Sequence, residues 1–297
     1  MFRRALLIAI GTALLGFAAF LLLTQTRPSD QADLAGLQAD ATRGAVVFAA
    51  AGCGSCHMAP GAREEAQLVM SGGMRFASEF GTFIAPNISP DPSHGLGSWT
   101  LEDFSHALRD GITPQGQHYF PVLPYTAYAK MTGQDVVDLW AYLQSLPPST
   151  TPSAPHEVGF PFSFRRLIGG WKLLYMTDGW QMTAAETPEI ARGRYLVEAL
   201  AHCAECHTPR NAFGGLDRSR WMAGAPSPDG QGRVPNITPA KLTWSEAELF
   251  AYLTTGFTPE YDSVGGHMAH VVDNMAKLPA SDVRAAVAYL KALPAAE

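Results

Sequence analysis

Two short stretches of this chain could do chemistry. Cys53, Cys56 and His57 form a C-x-x-C-H sequence, and Cys203, Cys206 and His207 repeat it. They account for all four cysteines in 297 residues. C-x-x-C-H is the spacing of covalent haem c attachment. Each cysteine closes a thioether onto one haem vinyl group. Two intervening residues put both thiols on one helical turn, and the adjacent histidine then lies under the iron and can offer it a nitrogen. A zinc site has no need of C-x-x-C-H twice, and here the two pairs lie 150 residues apart. A redox dithiol of the thioredoxin kind belongs in βαβ topology, which neither motif shows. The expected cofactors are two covalently bound haem c groups, with His57 and His207 as iron ligands.

The opposite face of each iron needs a second ligand. A thioether there favours ferrous iron and raises the reduction potential. In the second half, "SVGGHMAHVVDNM" offers Met268 just after two glycines that would let a loop approach closely. His267, His270 and Met275 are the rivals. In the first half, "QHYFPVLPYTAYAKMTG" contains one methionine, Met131, with His118 as its rival. Met70 and Met74 fall too early. Met131 and Met268 are the expected ligands, although a lone methionine also serves as core filling. Asn87 and Asn236 could hold a loop or donate to the haem. Trp99, Trp244, Tyr125 and Tyr128 could flank a ring or simply pack the core. No catalytic residues are expected: H-E-x-x-H and G-x-S-x-G are absent, and two six-coordinate irons would leave no open position.

The elements that must position these residues come in two copies. "ATRGAVVFAAAGCGSCHMAP" (41–60) resembles "IARGRYLVEALAHCAECHTP" (190–209), and "APNISPD" (85–91) resembles "VPNITPA" (234–240). "GSWTLEDFSHALRDGITP" (97–114) resembles "LTWSEAELFAYLTTGFTP" (242–259), and "TGQDVVDLWAYLQSLP" (132–147) resembles "PASDVRAAVAYLKALP" (279–294). Four blocks in one order, at nearly equal spacing, make two homologous modules. Each reads as helical with long loops. Thr100 with Asp103, and Ser245 with Glu248, have the spacing of capping boxes, and Gly111 and Gly256 end those helices. Val136, Leu139, Trp140 and Leu143 form an apolar stripe. No strand pattern persists long enough to predict a sheet. The predicted fold is all-α: two tandem helical modules behind an N-terminal transmembrane helix.

After "MFRR" the chain is uncharged from Ala5 to Leu23, nineteen residues that nearly span a bilayer core. The run is long for a signal peptide and lacks a clear small-x-small cleavage site, so an uncleaved anchor is expected. Arg3 and Arg4 would stay cytoplasmic and the modules would face the periplasm of a bacterial inner membrane. The expected layout is an anchor at 1–27, domain one at 28–147, a linker at 148–187 and domain two at 188–297. The linker begins Pro-rich and continues as "FRRLIGGWKLLYM", either a packed connector or an amphipathic patch for a membrane or partner. Its glycines weaken a helix there. A net charge of −6 without a clustered basic face gives no nucleic-acid footprint.

"CHTPRNAFGG" (206–215), "PNISPD" (86–91), "GSWTLEDFSHALRDG" (97–111), "YFPVLPYTAY" (119–128) and both helix ends resemble the membrane-bound dihaem cytochrome c subunits of periplasmic dehydrogenases. That family serves quinoprotein alcohol and sugar-acid dehydrogenases and molybdenum hydroxylases. The resemblance covers roughly 40–147 and 188–294. It implies two tandem class I cytochrome c domains with His/Met ligation, and electron transfer from a dehydrogenase or respiratory complex toward quinone or a terminal oxidase. One departure stands out: many relatives carry methionine inside P-x-M-P-Y, where this chain has Leu123. Two other readings remain open, a dihaem redox enzyme of peroxidase or thiosulfate dehydrogenase type, and a haem-bearing structural subunit of a respiratory complex.

Overall fold

Each module is framed by a pair of helices crossing at a glycine. The computed structural model describes residues 2–227 and 232–296; the outermost expected bounds, Met1 and Glu297, lie outside them. In the first module α2 (Ala41–Ala50) starts at Asp40, whose carboxylate accepts from the Thr42 and Arg43 backbone N–H groups. It crosses α6 (Gly133–Ser145), which buries Val136, Leu139 and Leu143. A Cβ on Gly44 would stand 2.0 Å from the Asp138 carbonyl oxygen, so only glycine permits this approach. In the second module α8 (Pro188–Arg194) continues as a wide π-helical stretch, Tyr195–Leu200, and crosses α12 (Ala280–Ala292). There a Cβ on Gly193 would stand 1.9 Å from the Ala285 carbonyl oxygen.

The ion pairs beside these crossings differ. Asp138 is fully buried and accepts from Arg43 Nε (2.7 Å), Arg43 Nη2 (3.0 Å), the Asp40 N–H (2.7 Å) and Gln134 Nε2 (2.9 Å). That set satisfies the carboxylate, as a buried charge requires. In the second module Arg192 pairs instead with Asp282, at 2.7 Å.

Short helices complete each unit: α3 (Cys53–His57), α4 (Leu101–Ser105, continued as a π-helical turn over His106–Asp110) and α5 (Tyr125–Tyr128) in the first, α9 (Ala204–His207), α10 (Glu246–Thr255) and α11 (His267–Met275) in the second. Both expected capping boxes form, at Thr100/Asp103 and Ser245/Glu248, and Gly111 and Gly256 end their helices in the left-handed region. Among the described residues, two short hairpins that the sequence pattern did not signal lie between the haem motif and the capped helix of each module. They are β1 (Arg75–Ser78) with β2 (Gly81–Ile84), and β3 (Ala225–Pro226) with β4 (Arg233–Val234). The fold is nonetheless helical. Buried side chains of both modules join in one core that includes Leu139, Leu143, Leu196, Leu200 and Tyr289.

The segment between the modules is more ordered than its composition suggests. Residues 149–157 run along the first module, where Glu157 pairs with Thr82 as a third-strand bridge. Then α7 (Arg166–Tyr175) forms despite Gly169 and Gly170. Gly169 is buried because the carbonyl of Thr24 lies against it; a Cβ there would be 2.4 Å from that oxygen. Thr24 follows α1 (Phe2–Leu23), a 22-residue apolar helix with no buried residue.

Candidate haem-binding sites

The two C-x-x-C-H helices are held identically. His57 Nδ1 lies 2.8 Å from the Pro86 carbonyl oxygen, and His207 Nδ1 lies 2.8 Å from that of Pro235. A ring nitrogen bonded this way is protonated, which leaves Nε2 as the lone-pair nitrogen. The backbone is gripped as well: Gly72 N–H donates to the His57 carbonyl (2.7 Å) and Gly224 N–H to that of His207 (2.8 Å). Both glycines have positive φ, and a Cβ on Gly72 would fall 2.5 Å from the Ala85 carbonyl oxygen. Burial lowers the pKa of both histidines against the opposing pull of the proline carbonyls. Each ring therefore presents a neutral nitrogen of fixed direction, the state in which imidazole binds iron.

The thiols fit covalent attachment better than redox cycling. Apolar surroundings push Cys53 and Cys203 up to about 12 and Cys56 to about 11, and raise Cys206 too. A redox dithiol needs a thiol with depressed pKa. These are neutral thiols, three of them half-buried and Cys206 exposed.

The asparagines hold loops. Asn87 Nδ2 donates to the Ser149 and Thr151 carbonyls (2.8 Å each), and its Oδ1 accepts from Ser89 N–H. Asn236 Nδ2 donates to the Ala296 carbonyl, and its Oδ1 accepts from Thr238 N–H. Each asparagine thus ties the loop that anchors the histidine to the chain leaving the last helix of its module. Trp99 packs half-buried against the core, and Trp244 meets Tyr252 edge-on at 5.2 Å.

Met268 sits half-buried in the first turn of α11, just after Gly266 at positive φ. His267 is exposed and His270 half-buried on the same helix, and Met275 is buried in the core. Met131 is 2% exposed and lies two residues before α6. Its N–H bonds the Tyr128 carbonyl in the same turn that links Leu278 to Met275 ahead of α12. The repeat therefore puts Met131 where the second module has a core leucine. His118 is buried with Nε2 2.9 Å from the Thr24 carbonyl, so it serves the junction with α1. Met70 and Met222 are equivalent and fully buried; their carbonyls accept from Ile88 and Ile237.

The two motifs face one another across the module boundary. Ser55, inside the first motif, accepts from Asn274 Nδ2 of α11 at 2.8 Å. Thr126 Oγ1 donates to Glu205, inside the second motif, at 3.1 Å. The Tyr128 hydroxyl donates to the Ala51 carbonyl (2.9 Å), and its ring meets His202 edge-on at 5.7 Å. Tyr128 thus touches the residues just ahead of both cysteine pairs. Burial raises the Cys56 thiol, and Cys206 adds to that electrostatically.

Residues 41–147 match the family profile described as Cytochrome c. Over 295 residues the chain is 53% identical to a "Diheme cytochrome c-type" protein of Cereibacter sphaeroides, covering 99% of this chain and 100% of that one. The chain belongs to the dihaem cytochrome c family. It is also 36% identical over 278 residues to the fructose dehydrogenase cytochrome subunit of Gluconobacter japonicus. Over 268 residues it is 33% identical to the cytochrome c subunit of the quinone-type alcohol dehydrogenase of Gluconobacter oxydans. Those two matches cover 91% and 85% of this chain but 56% and 54% of the relatives' own lengths. A dihaem cytochrome c carries covalent haem c and transfers electrons, and the neutral, fixed histidines and paired thiols fit that group.

Sequence reasoning named the cysteines and histidines. It missed Gly72 and Gly224 and the use of the Pro86 and Pro235 carbonyls. The recurrence of the Pro–Asn pair was the available signal, but a backbone acceptor has no residue-type signature.

Proposed function

We propose that this cytochrome is a membrane-anchored, periplasm-facing relay that binds two haem c groups and passes electrons from a partner dehydrogenase to a downstream acceptor. The observation that carries it is the juxtaposition of two equally built C-x-x-C-H sites across Tyr128 and the Ser55–Asn274 bond. When bound, each haem c supplies a one-electron ferric/ferrous couple. Cys53 and Cys56 would hold one group through thioethers, and Cys203 and Cys206 the other. His57 and His207 would bind iron through Nε2, with the proline carbonyls fixing ring direction and raising basicity. The relatives named for fructose and alcohol dehydrogenases support a dehydrogenase as donor, and the apolar, unburied α1 supports a bilayer span.

The test is purification of the full chain from membranes in mild detergent. A dehydrogenase catalytic subunit is expected to co-elute, and a substrate of that enzyme, with fructose and simple alcohols offered first, reduces both haems. Peroxide turnover by the cytochrome alone, or a particle without any dehydrogenase subunit, overturns the relay reading.

Met268 is proposed as the sixth ligand in the second module and Met131 in the first. Met268→Leu should abolish that haem's sulfur-to-iron charge-transfer band and lower its potential by about 100 mV or more, read by spectroelectrochemical titration. Met131→Leu is the sharper substitution because the second module already has leucine at that place. Loss of the low-spin spectrum of the first haem establishes ligation by Met131; an unchanged spectrum assigns it to the core.

A further inference from the structure

The outer face of α7 and the turn before it are apolar, exposed and joined to the end of α1. Phe160 is 88% exposed and Leu174 73%, and Phe162, Phe164, Leu167 and Leu173 are also exposed. Leu167 and Leu174, seven residues apart, share one face of α7, roughly opposite the buried Gly169. The junction with α1 is built. The Thr24 carbonyl receives Arg166 Nη1 (3.1 Å) and His118 Nε2 (2.9 Å), and Phe20 of α1 stacks on Phe164 at 6.5 Å. Arg165 donates to the His118 carbonyl (2.9 Å) and lies 4.6 Å over the Phe120 ring.

Charge points the same way. From Val158 to Met176 the chain carries Arg165, Arg166 and Lys172 and no acidic residue, in a protein of net charge −6. Lys172 donates to the Asp110 and Gly111 carbonyls. All three cations thus bond backbone carbonyls, and among the described residues none of them pairs with a carboxylate. Exposed phenylalanine and leucine beside cations that form no salt bridge are the composition of an element lying at a lipid interface.

We infer that the Phe160–Phe164 turn and the outer face of α7 lie in the headgroup–acyl boundary of an anionic bilayer, as a second membrane contact that fixes how the haem modules stand on it. This rests on the reading of α1 as a bilayer span, because the patch adjoins the end of that helix. Residues 24–31 are tied to the first module through Thr24, Thr26 and Ser29, so α1 and the α7 patch form one joined unit, and the patch adds a second point of contact beside the span.

The test uses the full holoprotein in vesicles of phosphatidylethanolamine and phosphatidylglycerol, with no other protein present. Single substitutions Phe160→Cys, Leu174→Cys, Leu14→Cys and Glu246→Cys are reacted with an impermeant maleimide; the native cysteines are blocked as thioethers. Rates are normalised to Glu246→Cys, so that only outward-facing chains count. Phe160→Cys and Leu174→Cys are expected to react about tenfold or more slower than Glu246→Cys, because the thiolate does not form in lipid. Leu14→Cys should be protected as well. Protection at Leu14 with rapid reaction at Phe160 and Leu174 overturns the second contact and leaves the anchor standing. Reaction at Leu14 overturns the anchor, and the inference with it. Protection of Leu174 in native membranes but not in pure lipid gives the patch to a partner protein and overturns the lipid assignment.

Discussion

The double substitution Cys203→Ala/Cys206→Ala lowers acid–acetone-resistant haem from about two per chain to about one. The remaining haem stays in the first module, whose Cys53, Cys56 and His57 are untouched. His207 and its bond to the Pro235 carbonyl survive, so a haem can still enter the second module reversibly, but extraction removes it. Electron delivery across the boundary spanned by Tyr128 and the Ser55–Asn274 bond then depends on how much of that exchangeable haem stays in place. If the chain is the proposed relay, donor-driven reduction of the acceptor falls as that haem is washed out, even though one covalent haem is present. A chain that keeps two extraction-resistant haems shows that these cysteines do not attach one. A second effect follows from folding. Without a permanently bound group the second module loses ligand stabilisation and unfolds at a lower temperature, read by circular dichroism.

How much of this was legible depends on where the information sits. Cys–x–x–Cys–His is a side-chain code, so both candidate motifs could be read from the sequence alone. The capping residues Thr100, Asp103, Ser245 and Glu248 are local codes as well, and they formed as expected. The anchoring of the histidines is a backbone matter: the Pro86 and Pro235 carbonyls and the Gly72 and Gly224 N–H groups act through main-chain atoms that every residue owns. Likewise α7 was obscured by Gly169, which reads as a helix breaker but is required where the Thr24 carbonyl comes within reach. Met131 shows the converse. The repeat places it opposite Leu278, yet residue type alone made it a ligand candidate, because thioethers fill cores as readily as they bind iron. The hairpins escaped notice because four residues or fewer give no persistent alternation.

Gly193→Ala is expected to be the most damaging glycine-to-alanine change at the two helix crossings, with Gly44→Ala close behind. The new Cβ would be 1.9 Å from the Ala285 carbonyl oxygen and 2.6 Å from its carbon, and for Gly44 the corresponding distances to Asp138 are 2.0 and 2.6 Å. The obstacle is backbone of a helix, which cannot rotate away as a side chain would. The two helices must separate, and the buried side chains at the crossing, including Val283, Val287 and Leu196, lose close packing. Overpacking of this kind costs about 3 kcal/mol, offset by less than about 1 kcal/mol from alanine's better helix propensity. A loss of that size lowers the melting temperature of the module by about 10 °C, measured on the holoprotein. Gly170→Ala provides the contrast. Its Cβ would meet only the Thr24 methyl at 3.8 Å, an ordinary contact, so helix propensity dominates and stability stays level or rises by about 0.5 kcal/mol. The two substitutions add the same methyl group to a helix. If both shift the melting temperature equally, the close helix crossing is not what holds the module together. If only Gly193→Ala does so, the frame that carries His207 toward its haem depends on that single missing carbon.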